Sequence, residues 1–346
     1  MSRQDRLSTD VERGFEALEN GEFEEAAACL ERCSRIDRKH ADVVTLAAAL
    51  ADAQGETETA LAKYRELSTL RPDDPMPRVC VARLQLHDEG DPEAALESIE
   101  SAFEFIDEED DLIAAVLVRT EALIAMGDLD NAKESLDELA SSVIDDPELA
   151  LDLGELALAT GDTKRALEWA KIAQGDEKLR ADALHLLGFI HEAREDRAAA
   201  VTAWQEVRAI DAKAPAPKVS MSEDEMERIA RETLAELSDD ARKRLADVPI
   251  LIEDVPSPEM IADGEDPRML GLFEGEPMRP LSGDDDLGGG PSAGGVATVI
   301  HLYKSNLERT AADLDDLAEQ VRITVLHETA HFFGLDEDEL TKLGLD

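Results

Sequence analysis

Basic side chains are scarce in this 346-residue chain: 35 Lys and Arg stand against 81 Asp and Glu, a formal net charge of −46. The excess is spread throughout, net −27 over residues 1–217 and net −19 over 218–346. Such a field repels nucleic acid and anionic lipid, so no DNA, RNA or membrane partner is expected, and basic partners would be attracted. Cysteine is rare and odd in number, at Cys29, Cys33 and Cys80. A disulfide framework does not fit that count, and a cytoplasmic location does. Cys29 and Cys33, four apart on a predicted helix, read as small core residues rather than a redox pair. Long apolar runs are missing too. The stretch Val43 to Leu50, interrupted only by Thr45, falls far short of the roughly 18–20 residues a spanning helix needs. The opening Met1-Ser-Arg-Gln-Asp-Arg leads into no hydrophobic segment, so no secretory leader is expected.

What the chain does have is a period. Gly21, Gly55, Gly90, Gly127 and Gly161 each sit in a turn signal, and Glu195 takes the sixth place, at intervals of 34, 35, 37, 34 and 34 residues. Five positions after each mark stands an alanine: Ala26, Ala60, Ala95, Ala132, Ala166 and Ala200. Four further on stand Leu30, Tyr64, Ile99, Leu136, Ala170 and Trp204, with Ala170 the exception in size. Gly14, Gly154 and Gly188 lie seven before their marks. Two antiparallel helices meeting at each turn explain the pattern, because small residues let their backbones approach closely. The pattern resembles the tetratricopeptide repeat. That resemblance implies about six helix pairs over residues 8–211, stacked as an all-α solenoid whose concave groove receives a protein or peptide. By repeat position, Glu121, Glu155 and His185 are candidate groove residues. No clamp of basic residues is visible, which disfavours an acidic tail as the occupant.

Residues 212–220, Ala-Lys-Ala-Pro-Ala-Pro-Lys-Val-Ser, break the helical pattern and read as a stiff linker. Beyond it the pattern is mixed, predicting a small α+β domain over 221–346. Ser222 with Glu225 forms a capping-box signal for a helix to about Leu237. A short helix over 239–246 and a strand over 248–253 follow. Residues 254–296, rich in Gly, Pro and Asp, read as one long loop; its Asp284-Asp285-Asp286 run is read as a solvated segment in preference to a calcium site. Residues 297–303 read as a strand, with helix from Asn306 onward.

The chemistry-bearing motif lies near the end: His327-Glu328-Thr329-Ala330-His331. On a helix, residues i and i+4 share a face, so both imidazoles can bind one metal ion, and a carboxylate beside them can deprotonate a water that the ion acidifies. Leu314, Leu317, Val321, Val325 and Leu326 lie near helical spacing ahead of it, predicting an amphipathic helix over 314–333 that Gly334 stops. A zinc hydrolase site needs a third protein ligand and one open position. The acidic run past the glycine, Asp336 to Glu339, supplies candidates. Zinc, one per chain, is the expectation from ligand type.

From Met221 to the C-terminus the chain resembles the small bacterial minimal zincin family of metallopeptidase-like proteins. The resemblance is carried by Ser222-Glu-Asp-Glu-Met-Glu-Arg-Ile-Ala, Val248-Pro-Ile-Leu-Ile-Glu-Asp, Leu270-Gly-Leu-Phe-Glu-Gly, Val299-Ile-His-Leu-Tyr-Lys and Val325-Leu-His-Glu-Thr-Ala-His-Phe-Phe-Gly-Leu, in that order. It implies an HExxHxxGxxD zinc site with Glu328 as general base and His327 and His331 as ligands; Glu337, which departs from the final Asp, is the first candidate for the third ligand, with Asp336 and Asp338 as alternatives. Metzincins share the spacing but need a Met turn after it, and no Met follows Met278. In zincins an extended substrate pairs with a strand edge above the metal. By resemblance that strand is 299–303, where Tyr303 is a candidate oxyanion donor and His301 a candidate substrate contact, facing either site or solvent. The expected function is a zinc-dependent metallopeptidase with a repeat solenoid for protein binding. The alternative is a non-catalytic interaction scaffold with a structural or vestigial zinc site.

Overall fold

The computed structural model describes residues 2–246, 248–275 and 299–335, with Asp240 described for its backbone alone. The chain forms two compact units, Met1–Leu179 and Arg180–Asp346. The first contains ten α-helices among its described residues: α1 (Arg3–Glu19), α2 (Phe23–Asp37), α3 (Ala41–Ala53), α4 (Thr57–Leu70), α5 (Met76–His87), α6 (Pro92–Glu100), α7 (Glu109–Ala125), α8 (Leu129–Asp137), α9 (Pro147–Ala159) and α10 (Thr163–Ala173). Consecutive helices pack as pairs, and each pair packs on the next.

The period is explained by backbone geometry. The five repeat-mark glycines have φ between 65° and 76°, with no atom within 4 Å of a Cβ built on them. The turn needs the left-handed conformation that glycine adopts without a steric penalty. After three of these glycines, Asp91, Asp128 and Asp162 cap the next helix, accepting from the amides of Ala94, Asn131 and Arg165. Each cap contributes about 1 kcal/mol. Ala26, Ala60, Ala95, Ala132 and Ala166 are fully buried, as contacts between closely approaching helices require. Cys29 and Cys33 are buried core residues, and burial pushes the Cys33 thiol up to about 11.

The second unit begins with one more helix pair, α11 (Arg180–Ala193) and α12 (Arg197–Asp211). Glu195 between them has φ 61°, the one non-glycine positive φ among the described residues, at the place where the period calls for a turn. Gly188 on α11 gives up its side-chain space to Trp204 on α12: a Cβ built there would fall 1.9 Å from Trp204 Nε1. Gly188→Ala is therefore expected to lower stability by roughly 1–3 kcal/mol through overpacking. Urea denaturation of the full chain, followed by Trp fluorescence, measures it.

The period groups α11 and α12 with the repeats before them, whereas the compact units divide between Leu179 and Arg180. Residues 212–222 contain no helix or strand. Then come α13 (Glu223–Glu236), α14 (Asp239–Leu245), β1 (Ile250–Glu253), α15 (Pro258–Ala262), β2 (Gly271–Glu274), β3 (Val299–Tyr303), α16 (Lys304–Thr310) and α17 (Leu314–Phe332). Ser222 caps α13 by accepting from Glu225 N, as its sequence signal predicts. The three strands form one sheet in the order β1-β3-β2, with β1 parallel and β2 antiparallel to β3. Ile300 and Leu302 face Met226 and Ile229 of α13 and Leu317, Val321 and Val325 of α17 in one buried core.

Two expectations are corrected here. The stretch 254–296 is not one loop, because it holds α15 and β2. Pro258 at the first position of α15 starts a helix whose missing N–H costs nothing there, and Ser257 caps it. The Asp284–Asp286 run lies outside the described residues. Leu314 does not join the buried stripe of α17: it is exposed, at the helix start where the chain first meets solvent.

Candidate metal and hydrolytic site

Helix α17 carries the motif as its last two turns. Asp313 caps the helix by accepting from Asp315 N and Asp316 N, so its start is fixed four turns before the histidines. Phe332, fully within the buried layer, meets Phe273 of β2 edge to face at 5.7 Å between ring centroids. The helix ends where Gly334, φ 80°, turns the chain; Gly334 N donates to His331 O and Leu335 N to Ala330 O. This is the glycine stop that the sequence predicts.

The two imidazoles converge as the i, i+4 spacing requires. His327 Nε2 and His331 Nε2 lie 3.0 Å apart, with ring centroids 4.7 Å apart and planes at 76°. Two nitrogens on one tetrahedral zinc, each bonded at 2.0–2.1 Å, would stand about 3.3 Å apart. The pair therefore fits a shared divalent ion by donor type and separation. Among the described residues no three His, Cys, Asp or Glu side chains gather to hold a metal ion. Glu337, Asp336 and Asp338 lie outside the described residues.

Glu328 is 7% exposed. It points toward β2, where a Cβ built on Gly271 would lie 3.1 Å from Glu328 Oε1 and 2.6 Å from Thr324 Cγ2. The lack of a side chain at Gly271 thus lets the carboxylate lie against the strand backbone. The Leu270-Gly271-Leu272-Phe273 segment carries this signal in the sequence, yet only the folded chain brings it to the motif.

The strand expected to meet substrate is placed differently. Val299–Tyr303 is the central strand, bonded on both sides, so it has no free edge. Tyr303 N donates to Leu270 O, which turns the polar groups of Gly271 and Phe273 away from β3. The sheet edge on the Glu328 side is therefore β2. Tyr303 is wholly buried, its hydroxyl donating to Met260 Sδ at 3.4 Å. Burial, with Glu253, Glu265, Glu328 and Glu274 around it, pushes its pKa up and keeps it protonated. His301 is 8% exposed and stands between two carboxylates: Nδ1 lies 2.7 Å from Glu253 Oε2, and Nε2 lies 3.3 Å from Glu274 Oε2. In this conformation both residues belong to a polar layer on the sheet face opposite the Ile300 and Leu302 core.

The other binding candidates lie on first helices of the pairs. Glu121 Oε2 meets His87 Nε2 at 3.1 Å, and burial raises its pKa. His185 Nε2 meets Asp266 Oδ1 at 2.7 Å, within the second unit.

Comparison with known proteins agrees with both halves of this description. A zincin-like metallopeptidase family model matches residues 245–345, and a tetratricopeptide repeat model matches residues 12–75 and 119–183. The chain thus carries a tetratricopeptide repeat region followed by a zincin-like metallopeptidase domain. The crystal structure of PilW, a widely conserved type IV pilus biogenesis factor, superposes with a TM-score of 0.52 at 17% identity, covering 60% of this chain and 94% of that one. This likeness shows a shared helical-repeat fold. PilF of Pseudomonas aeruginosa superposes with a TM-score of 0.49 at 18% identity, covering 61% of this chain and 95% of its own. A tetratricopeptide repeat protein of Parabacteroides merdae does so with 0.44 at 19% identity, covering 59% and 78%. A comparison with curated proteins finds no match.

Proposed function

We propose that the protein is a zinc-dependent peptide hydrolase whose repeats bind a protein substrate or partner. The observation that carries the reading is the convergence of His327 and His331 beside buried Glu328 on one helix, inside the segment matched by the zincin-like family model. His327, His331 and one carboxylate of Glu337, Asp336 or Asp338 would hold one zinc per chain. Zinc bound there would polarise a carbonyl oxygen and acidify a water molecule. Glu328 takes the proton from the attacking water and passes it to the leaving amine nitrogen. Its position against Gly271 places that proton acceptor beside the β2 edge, where an extended peptide can pair through its backbone.

In this reading the repeats, over residues 8–211, present a groove to a protein or peptide. The charge of −46 favours basic segments there and disfavours nucleic acid and anionic membrane. Among the described residues no helix is long and apolar enough to cross a membrane. A cytoplasmic site of action fits the cysteine usage.

A second reading is a non-catalytic interaction scaffold with a structural or vestigial zinc site. It is favoured by one observation: the Tyr303 hydroxyl, the sequence candidate for an oxyanion donor, is sealed in the interior. Elemental analysis of the full chain with a screen of unfolded protein substrates separates the two. About one zinc per chain with cleavage supports the hydrolase. Zinc without cleavage supports the scaffold, and no zinc leaves the repeats as the working part.

A further inference from the structure

The segment joining β1 to β2, residues 254–270, is tied along its length to the helix pair α11–α12. Arg208 Nε donates to Pro256 O at 3.0 Å, and Arg197 donates to Asp263 O. Ile261 is fully buried in a cluster with Ala200 and Trp204. His185 meets Asp266. The strongest tie is Arg268, whose guanidinium forks between two aspartates. Its Nε and Nη2 donate to Asp211 Oδ2 and Oδ1 at 2.8 and 3.1 Å, and its Nη1 donates to Asp182 Oδ1 at 2.6 Å. Three charge-assisted bonds on a partly buried, planar group fix direction as well as distance.

Only two residues separate Arg268 from Gly271. Along this stretch Asn306 Nδ2 donates to Met269 O and to Pro267 O just before Arg268, and Tyr303 N donates to Leu270 O. Gly271 then lies against Thr324 and Glu328. A short path of hydrogen bonds, ending in the close approach of Gly271 to Glu328, thus runs from α11 and α12 to the carboxylate proposed as general base.

We propose that Arg268 is a positioning residue for Glu328, acting through β2, and that helices α11 and α12 are a working part of the hydrolytic unit. Loss of the fork frees the start of β2 to shift. A displacement on the order of 1 Å at a reacting group can cost about 10²-fold in rate. The catalytic arm of this inference rests on the hydrolase reading, while the positioning of β2 does not.

The test compares the full wild-type chain with Arg268→Ala, Arg268→Lys and Arg228→Ala. Among the described residues Arg228 makes exposed ion pairs within α13, with Glu225 and Glu232, and it controls for the loss of one positive charge. Amide hydrogen exchange is followed in peptides covering 265–274 and 223–236, zinc content is measured, and kcat and KM are taken on any substrate the screen yields. In Arg268→Ala, exchange over 265–274 is expected to rise about 10-fold or more with 223–236 unchanged. Zinc should stay at the wild-type level, and kcat should fall about 10-fold or more with KM little changed. Arg268→Lys, which keeps charge but loses the fork, should fall between, and Arg228→Ala should match wild type. Unchanged exchange over 265–274 in both Arg268 variants overturns the proposal. Loosened β2 with wild-type kcat overturns its catalytic arm. Loosened β2 in a protein whose wild type cleaves nothing supports the positioning and sinks the hydrolase reading instead. If Arg268→Ala fails to fold, Arg268→Lys decides.

Discussion

Glu328→Gln is expected to lower kcat by roughly 10²–10⁴-fold while leaving zinc content and the unfolding midpoint near wild type. Gln keeps the shape of the side chain and its approach to Gly271, where the carboxylate lies with no intervening side chain. It removes only the proton-accepting carboxylate, so binding and packing are held while the base is lost. The measurement is a paired one, hydrolysis of a substrate found for the wild type and elemental analysis of the same preparations. Wild-type cleavage by Glu328→Gln would remove Glu328 from the mechanism, and with it the hydrolase assignment of this helix. Because Glu328 is nearly buried, Glu328→Ala is the poorer variant: it opens space against Thr324 and β2 and mixes a packing loss with a chemical one.

His331→Ala is expected to weaken zinc binding by roughly 10²–10³-fold, about 3–4 kcal/mol. The two imidazoles are 3.0 Å apart on a single helix face, so in the proposed site removing either would take away one of two nitrogen donors. Competition against a zinc indicator reads the affinity directly and needs no substrate. Loss should also appear in His327→Ala to a similar degree. Retention of zinc with wild-type affinity in both variants would show that the metal, if present, sits elsewhere. The same titration on Glu337→Ala, Asp336→Ala and Asp338→Ala ranks the third ligand, with one variant expected to resemble the histidine variants and the other two to resemble wild type.

Much of the architecture was readable along the chain because it depends on local geometry. A glycine that must take positive φ and an alanine at a close helix contact each act over a few residues. Their recurrence near every 34 residues therefore exposes the repeats. The place of Glu195 is instructive: it has no glycine, yet the backbone there takes the same left-handed turn, because the helices on either side pack as the other pairs do. The meeting of His327 and His331 was readable for a similar reason, since i and i+4 share a face whatever surrounds them. By contrast β2 went unread. Four residues, from Gly271 to Glu274, give too little alternation to stand out, and their strand character comes from pairing with β3.

The sequence by itself determined the periodic helix pairs, the α+β character of the C-terminal part and the meeting of His327 and His331 beside Glu328. All of these follow from turn stereochemistry and helical spacing. Only the tertiary structure decided that Val299–Tyr303 is a central strand without a free edge, that Tyr303 is sealed inside, and that Gly271 lies against Glu328. It also decided that α11 and α12 pack with the C-terminal part through Arg268, Asp182 and Asp211. Strand order, burial and ion pairs between residues 57 and 86 positions apart depend on which surfaces meet, and no local rule along the chain encodes that.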